Sequence, residues 1–464
     1  MIRFHFITWT LCLFSLSACG SLFKPAVPQA AVPAKFAAAA VQTTPLEIAP
    51  QWWTVFNDPV LNDLQTQLLQ GQLNVQLLAS KVRQAQAAVA LSQSSLWPSL
   101  SLNVGAGRAQ DTGSKAANNI SVVAPLSWEW DVWGRLGAQN AAAQALFQAS
   151  QDDLAFARLS AQASLVQTYV ALRTAQRQVA VLNQAEQAYT KALSLTRYRY
   201  EAGVVSAADV AQAELQLNTT LAQRIEVDTT RLQLQNALAV LLGKAPGELQ
   251  IAAHDPWFSL PPLPLSLPAS VVQQRPDIRA ASQRVLAAQA QLGVAQAAFF
   301  PSFSFAANLG YRSSDLANIF SASSLLWSLG PSMALNLVDG GQRKAVQAEA
   351  RAALDGAGIS YRQTVLQALQ EVEDNLVAAQ QLQQQAQAQS QAVQAAQRNL
   401  AIAQAQYSAG TVSYLNVVTA QASALSAERN LLDIQSRQVL ASTQLMKNLA
   451  APWPMDAAAP AVNK

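Results

Sequence analysis

The residue types that carry most enzymatic chemistry are nearly missing from this chain. Its 464 residues include two cysteines and two histidines. Cys12, Cys19 and His5 all lie near the start, which leaves His254 as the one histidine of the body, in a proline-rich stretch. A zinc or copper centre needs several nitrogen or sulfur ligands at set spacings, so no metal site or other cofactor is expected. There is no GxSxG elbow and no glycine loop that could cradle a phosphate. Glu371, Glu373 and Asp374 bring carboxylates together, but as near neighbours along a helical stretch they read as a solvated face. Arg275-Pro276-Asp277 reads as the opening of a helix, where proline and an acid are at home. The chain does not read as an enzyme. Its net charge of +3 is spread without a basic block, so no nucleic-acid partner is expected either.

What the residues do specify is long helices. Apolar types make up 51% of the chain and charged types only 12%. Proline is absent from 126 to 245 and again from 332 to 451. Proline inside a helix costs about 3 kcal/mol, so its exclusion allows very long helices. The spacing predicts helices over 135–202 and 341–409, each roughly 100 Å long at 1.5 Å per residue. Partner helices are expected over 206–243 and 413–449. In the last of these Val418, Leu425, Leu432, Val439 and Met446 recur every seven residues, as in a coiled-coil seam. Alanine and glutamine dominate stretches such as 380–397, giving close approach and a polar face of low charge.

Each long helix is parted from its partner by the same short phrase. Residues 200–206 read YEAGVVS and residues 407–413 read YSAGTVS. Glycine accepts the left-handed conformation that ends a helix, and serine is a good N-cap for the next. Gly203-Val204-Val205-Ser206 and Gly410-Thr411-Val412-Ser413 are therefore expected at the tips of two helical hairpins.

Strands are expected before the long helices. Leu100, Leu102 and Val104 alternate with small or polar residues, as do Ile120, Val122, Leu126, Trp128 and Trp130, then Phe303 and Phe305; a fourth segment runs from about 325 to 338. Such alternation gives a strand one apolar face. That face could rest on a soluble core or on lipid. In lipid, four strands of roughly ten residues are too few, because the smallest spanning barrels have eight. Two copies would give eight strands and three would give twelve, and only the larger ring leaves an open interior.

The chain also divides along its length. Arg3 followed by an apolar run from Phe6 to Leu16 reads as a signal segment, too short to span a bilayer. Leu16-Ser17-Ala18-Cys19 resembles the lipobox of bacterial lipoproteins, in which the cysteine carries lipid; ordinary signal cleavage is the alternative. The expected organisation is a signal peptide over 1–18 and a Pro/Ala-rich tether over 19–50. A first repeat follows over 51–245, with a β-hairpin at about 99–131 and a helical hairpin at about 135–243. A Pro-rich linker spans 246–268. A second repeat spans 269–450, with a β-hairpin at about 302–338 and a helical hairpin at about 341–449. Residues 451–464 are a tail. Landmarks recur in order between the repeats: LWPSLSLNVG at 96–105 against FFPSFSFAANLG at 299–310, then the two glycine phrases.

Five longer phrases, in order, complete the pattern: WWTVFNDPVLNDLQ (52–65), LSWEWDVWGRL (126–136), NALAVLLGKAPGEL (236–249), the run from Arg275 to Phe305, and YSAGTVSYLNVVTAQ (407–421). In these the chain resembles the outer membrane factor family of TolC-like channels, in particular the NodT-type lipoprotein branch of efflux systems. The resemblance implies a mainly α fold with a β-barrel portion. It implies a trimer whose twelve-strand transmembrane barrel, four strands per chain, continues into a twelve-helix periplasmic α-barrel with an equatorial region. It further implies an outer-membrane, lipid-anchored channel that passes small molecules delivered by a periplasmic adaptor and an inner-membrane pump of the resistance–nodulation–division type. The hairpin tips would meet the adaptor.

By the same resemblance the periplasmic aperture falls at Asp209, Tyr407, Val412, Leu415, Asn416 and Thr419. Acids that are common in the second hairpin of the family are neutral here, at Asn416 and Thr419. This suggests a gate of packed Leu415 side chains with an Asp209 ring. A protein-secretion channel and a pore-free coiled-coil scaffold are the alternative readings. The cargo is not legible.

Overall fold

A computed structural model of the chain describes residues 51–110, 112–113, 115–260 and 273–449. Cys19, the tether, part of the Pro-rich linker and the tail fall outside the described residues.

The order of elements follows from local chemistry. Asp58 accepts hydrogen bonds from the amides of Val60 and Leu61, and Pro59 opens the helix α1 (Pro59–Gly71). Helix α2 (Leu73–Ser94) follows. Strands β1 (Ser99–Leu100), β2 (Asn103–Ala109) and β3 (Ala117–Trp130) come next, then the 67-residue helix α3 (Arg135–Glu201) and its partner α4 (Ala207–Leu241). Helix α5 (Pro276–Ala297) precedes strands β4 (Ser302–Ser313) and β5 (Leu325–Ala334). The second long pair is α6 (Gln342–Ser408), also of 67 residues, and α7 (Tyr414–Leu449). The long helices end within one or two residues of where proline exclusion and the glycine phrases put them. Among the described helices none is long and apolar enough to cross a membrane.

Two strand-to-helix junctions use the same device. The Asp131 carboxylate accepts from the amides of Leu136 and Gly137, at 3.0 and 2.6 Å. Asp339 does the same for Gly341 and Arg343, at 3.0 and 3.2 Å. The Arg343 side chain also donates to Asp339 and holds its carboxyl below the usual carboxylate range. An acid at a helix start satisfies free amides and complements the helix dipole.

The chain forms two compact units. The first draws on Ala79–Asp153 and Asp277–Thr364 and contains the whole sheet. The sheet is antiparallel throughout, in the order β1/β2–β3–β4–β5, with β1 and β2 both paired to β3 as one interrupted strand. The interruption at Ser101 and Leu102 was not expected, nor was the end of the fourth strand at Ala334 rather than near 338. Within this unit Arg279 and Arg284 of α5 pair with Asp152 and Asp153 of α3. Burial raises the Asp152 carboxyl, against the pull of Arg279.

The second unit draws on the described residues before Ala79, on Leu154–Pro276 and on the chain from Val365. Its core gathers Trp52, Phe56, Leu61, Leu68, Leu165, Tyr169, Leu238, Phe258, Val439 and Met446. The heptad residues of α7 are buried, apart from half-buried Leu425. Arg275 departs from its purely local reading. It is buried and gives two hydrogen bonds of 3.0 Å to Glu371 on α6, so Glu371 is more than part of a solvated face.

Candidate functional site: a two-faced sheet and two hairpin tips

The register sorts every sheet residue onto one of two faces, because cross-strand partners share a face. One face carries Leu100 and Val104, then Ile120, Val122, Leu126, Trp128 and Trp130 of β3. Phe303, Phe305, Leu309 and Tyr311 of β4, and Leu325, Trp327, Leu329 and Met333 of β5, continue it. The described residues leave it largely uncovered: Trp327 is 73% exposed and Leu100 70%. The opposite face is mostly small and polar. It carries Gly105, Gly107, Ser121, Ser127, Asn308, Ser304, Ser328, Gly330 and Ser332, with Val123 and Leu326 as its larger apolar members. The apolar run from Phe303 to Tyr311 has the length that a tilted strand needs to cross hydrocarbon, about nine residues. Aromatic rings stand at both ends of it, as they do at membrane interfaces. The apolar face is a lipid face.

Each hairpin tip is built by one glycine. Gly203 has φ +74 and Gly410 has φ +76. The amide of Val204 reaches back to the Arg199 carbonyl at 2.8 Å, and that of Thr411 to Gln406 at 3.0 Å, which closes the last turn of each long helix. Ser206 then caps α4: the Asp209 amide donates to its hydroxyl, and the Asp209 carboxylate accepts from the Ser206 amide and hydroxyl at 3.0 and 2.8 Å. Asn416 holds the matching position after the second turn. Val204, Ser206, Gly410, Thr411 and Ser413 are exposed, while Val205 and Val412 are half-buried.

The aperture candidates separate into two groups. Leu415, Asn416 and Thr419 are exposed, Leu415 by 58%, and the Thr419 hydroxyl turns back to the Leu415 carbonyl at 2.9 Å. Tyr407 instead faces the first hairpin. The Arg199 guanidinium lies 4.9 Å over its ring, and the Tyr414 ring lies 5.4 Å away. Tyr414 is buried with Leu193, Ala213, Val417 and Val418, so both hairpins share one apolar cluster near the tips. Burial pushes the Tyr414 hydroxyl up to about 12, with Tyr407, Tyr189 and Asp209 adding to the shift. Reading the sequence missed Arg199 and Tyr414, because nothing local marks a tyrosine that packs across two hairpins. Asp209 is half-buried and its carboxylate is engaged in the cap rather than standing free.

A sheet with one lipid face and one small, polar face, in a chain with two long helical hairpins, defines an outer-membrane channel subunit. The sequence model of the outer membrane efflux protein family matches residues 64–244 and 267–451. The chain belongs to that family, and it is an outer-membrane channel of an efflux system. It is 28% identical to Nodulation protein T of Rhizobium leguminosarum bv. trifolii over 441 residues, 92% of this chain and 93% of that one. It is 30% identical to the toluene efflux pump outer membrane protein TtgF of Pseudomonas putida, covering 87% of this chain and 85% of that one. Among solved structures, the outer-membrane channel OprN superposes with a TM-score of 0.87 at 27% identity, covering 92% of this chain and 98% of that one.

Proposed function

We propose that three copies of this chain close a twelve-strand barrel in the outer membrane and continue it as a twelve-helix tube, held by lipid on Cys19. Through it an inner-membrane pump, of the resistance–nodulation–division type, and a periplasmic adaptor export small molecules. The observation that carries this reading is the open sheet, with unpaired outer edges on β1/β2 and β5 among the described residues. An open edge in hydrocarbon leaves backbone groups unsatisfied, so the sheet has to be completed by further strands. Two copies would close a barrel that side chains fill, whereas three leave a lumen.

Two tips per chain give a trimer six, a number suited to a six-membered adaptor ring. Leu415, with Asn416 and Thr419 beside it, would ring the constriction, where the exposure of Leu415 is explained by its copies in the other subunits. The relative named for toluene efflux supports small-molecule export over protein secretion. Single-particle imaging of the full chain, extracted from outer membranes in mild detergent, tests the assembly. A three-fold hollow particle with a detergent belt is expected. A monomer or solid rod without a belt would overturn it.

A further inference from the structure

Among the described residues a single charge without a counter-charge stands on the small, polar face of the sheet. Gly105 of β2 is opposite Ser121 of β3, which is opposite Arg312 of β4, so the three share one row of that face. Apart from Arg312, the only charged residue of the described strands on this face is Glu129. Glu129 is at the helix end of the sheet, and Arg135 neutralises it through three hydrogen bonds of 2.8 to 3.1 Å. Arg312 is the penultimate residue of β4 toward the opposite end, four rows short of the last β2–β3 pair, Ala109 with Ala117. Its side chain is exposed, and it makes no ion pair or hydrogen bond among the described residues. Gly310 lies next to it along β4 on this face, and Gly105 shares its row beyond Ser121; neither puts a side chain in its way. A packing role would bury the arginine stem, and a lipid-surface role would place it on the other face. Neither describes Arg312.

We infer that Arg312 forms a cationic ring just inside the outer mouth of the channel, and that this ring favours anionic over cationic cargo at the exit. The inference rests on the trimeric barrel proposed above, in which the small, polar face lines the lumen. Twelve strands about 4.8 Å apart, tilted by about 40°, give a backbone radius of roughly 12 Å, of which an extended arginine spans about half. The distance left to the axis is then within the Debye length of about 8 Å at physiological salt. Three such charges enrich a monovalent anion over a neutral solute on the axis by roughly tenfold at 0.01 M ionic strength, and by a few-fold at 0.15 M. Among the described residues the acid nearest to Arg312 in sequence, Asp315, is held by the Ala317 amide and the Asn318 side chain and makes no ion pair with the arginine.

The test uses the full-length channel in planar lipid bilayers, as wild type, Arg312→Gln and Arg312→Glu. Reversal potentials are read across a KCl gradient at low ionic strength. Chloride preference is expected to fall several-fold in the glutamine variant, to fall further in the glutamate variant, and to shrink with added salt. A trisulfonated aromatic dye added on the loop side gives a second readout that the far constriction does not dominate. Its half-blocking concentration is expected to rise about tenfold in Arg312→Gln. Unchanged reversal potential and unchanged block, in channels that conduct normally, would overturn the inference and leave the channel reading standing. No current from inserted wild-type protein, nor from the gate variant Leu415→Ala, would overturn both.

Discussion

Arg173 and Asp58 meet at 3.1 Å with both side chains buried, the arginine to 1% exposure. The same Asp58 caps α1 and accepts from the Tyr169 hydroxyl at 3.0 Å. The other guanidinium nitrogen donates to the carbonyls of His254 and Pro256, and Phe258 lies 5.6 Å from the guanidinium carbon. One cation thus ties the segment before α1 and the segment after α4 to the long helix α3. It also explains the lone histidine. With an arginine 3.1 Å from its Nδ1, His254 is a poor place for a metal ion and a good place for a structural contact.

Arg173→Ala would leave Asp58 buried without its counter-charge, at a cost of about 3–5 kcal/mol. Limited proteolysis between Leu242 and Leu260 should be faster in this variant. Pairing Arg173→Met with Asp58→Asn should cost less than the two single changes added together. Additive effects would show that the ion pair does not hold this segment.

The turn glycines are constrained by backbone conformation, not by crowding. A Cβ added at Gly203 or Gly410 would meet nothing within 4 Å, but both residues have positive φ. Valine at either position should cost about 1–2 kcal/mol, and asparagine less. Amide exchange over residues 200–206 and 407–413 should rise with valine and stay close to wild type with asparagine.

If the tips are contact surfaces as well as turns, a bulky charge at Val204 or Thr411 should abolish efflux while the amount of trimer in the membrane stays the same. Both residues are exposed, and neither side chain is packed into the cluster near the tips. Normal efflux in Val204→Glu and Thr411→Arg cells would leave these residues the turn role only.

The gate prediction separates packing from charge. Leu415→Ala should raise closed-state conductance several-fold if the leucines form the seal. Asp209→Ala removes both the capping box and the charge, with the cap contributing about 1 kcal/mol, whereas Asp209→Asn keeps a side-chain acceptor for Ser206. Leakage in the alanine variant alone would assign Asp209 to the cap. Leakage in both would assign it to a charged ring, and wild-type conductance in all three would remove both residues from the gate.

The buried Tyr414 makes the tips sensitive to alkali. Its hydroxyl titrates near pH 12 in the folded chain and near pH 10 when unfolded. A raised pKa means that the folded state favours the protonated form. The contribution is therefore fully present below about pH 10 and is lost as pH rises from there toward 12. A titration followed by tyrosinate absorbance, wild type minus Tyr414→Phe, should show one tyrosine ionising in that upper range. A difference curve centred at pH 10 would place Tyr414 in solvent.

Residues close together in the sequence settled most of the architecture. Alternation at period two put Val104, Val122 and Phe305 on one face. The absence of proline set the length of α3 and α6, and Gly203 and Gly410 set where the hairpins turn. These are local effects, since a backbone dihedral or a side-chain period depends on neighbours in the chain. The rest came from residues that only folding brings together. Asp58 lies 115 positions from Arg173, and Arg275 lies 96 from Glu371, and neither pairing leaves a trace in local spacing. Arg312 belongs with them. In sequence it is one of 30 basic residues, and only the register of β3 on β4 places it, unpaired among the described residues, on the small and polar face of the sheet.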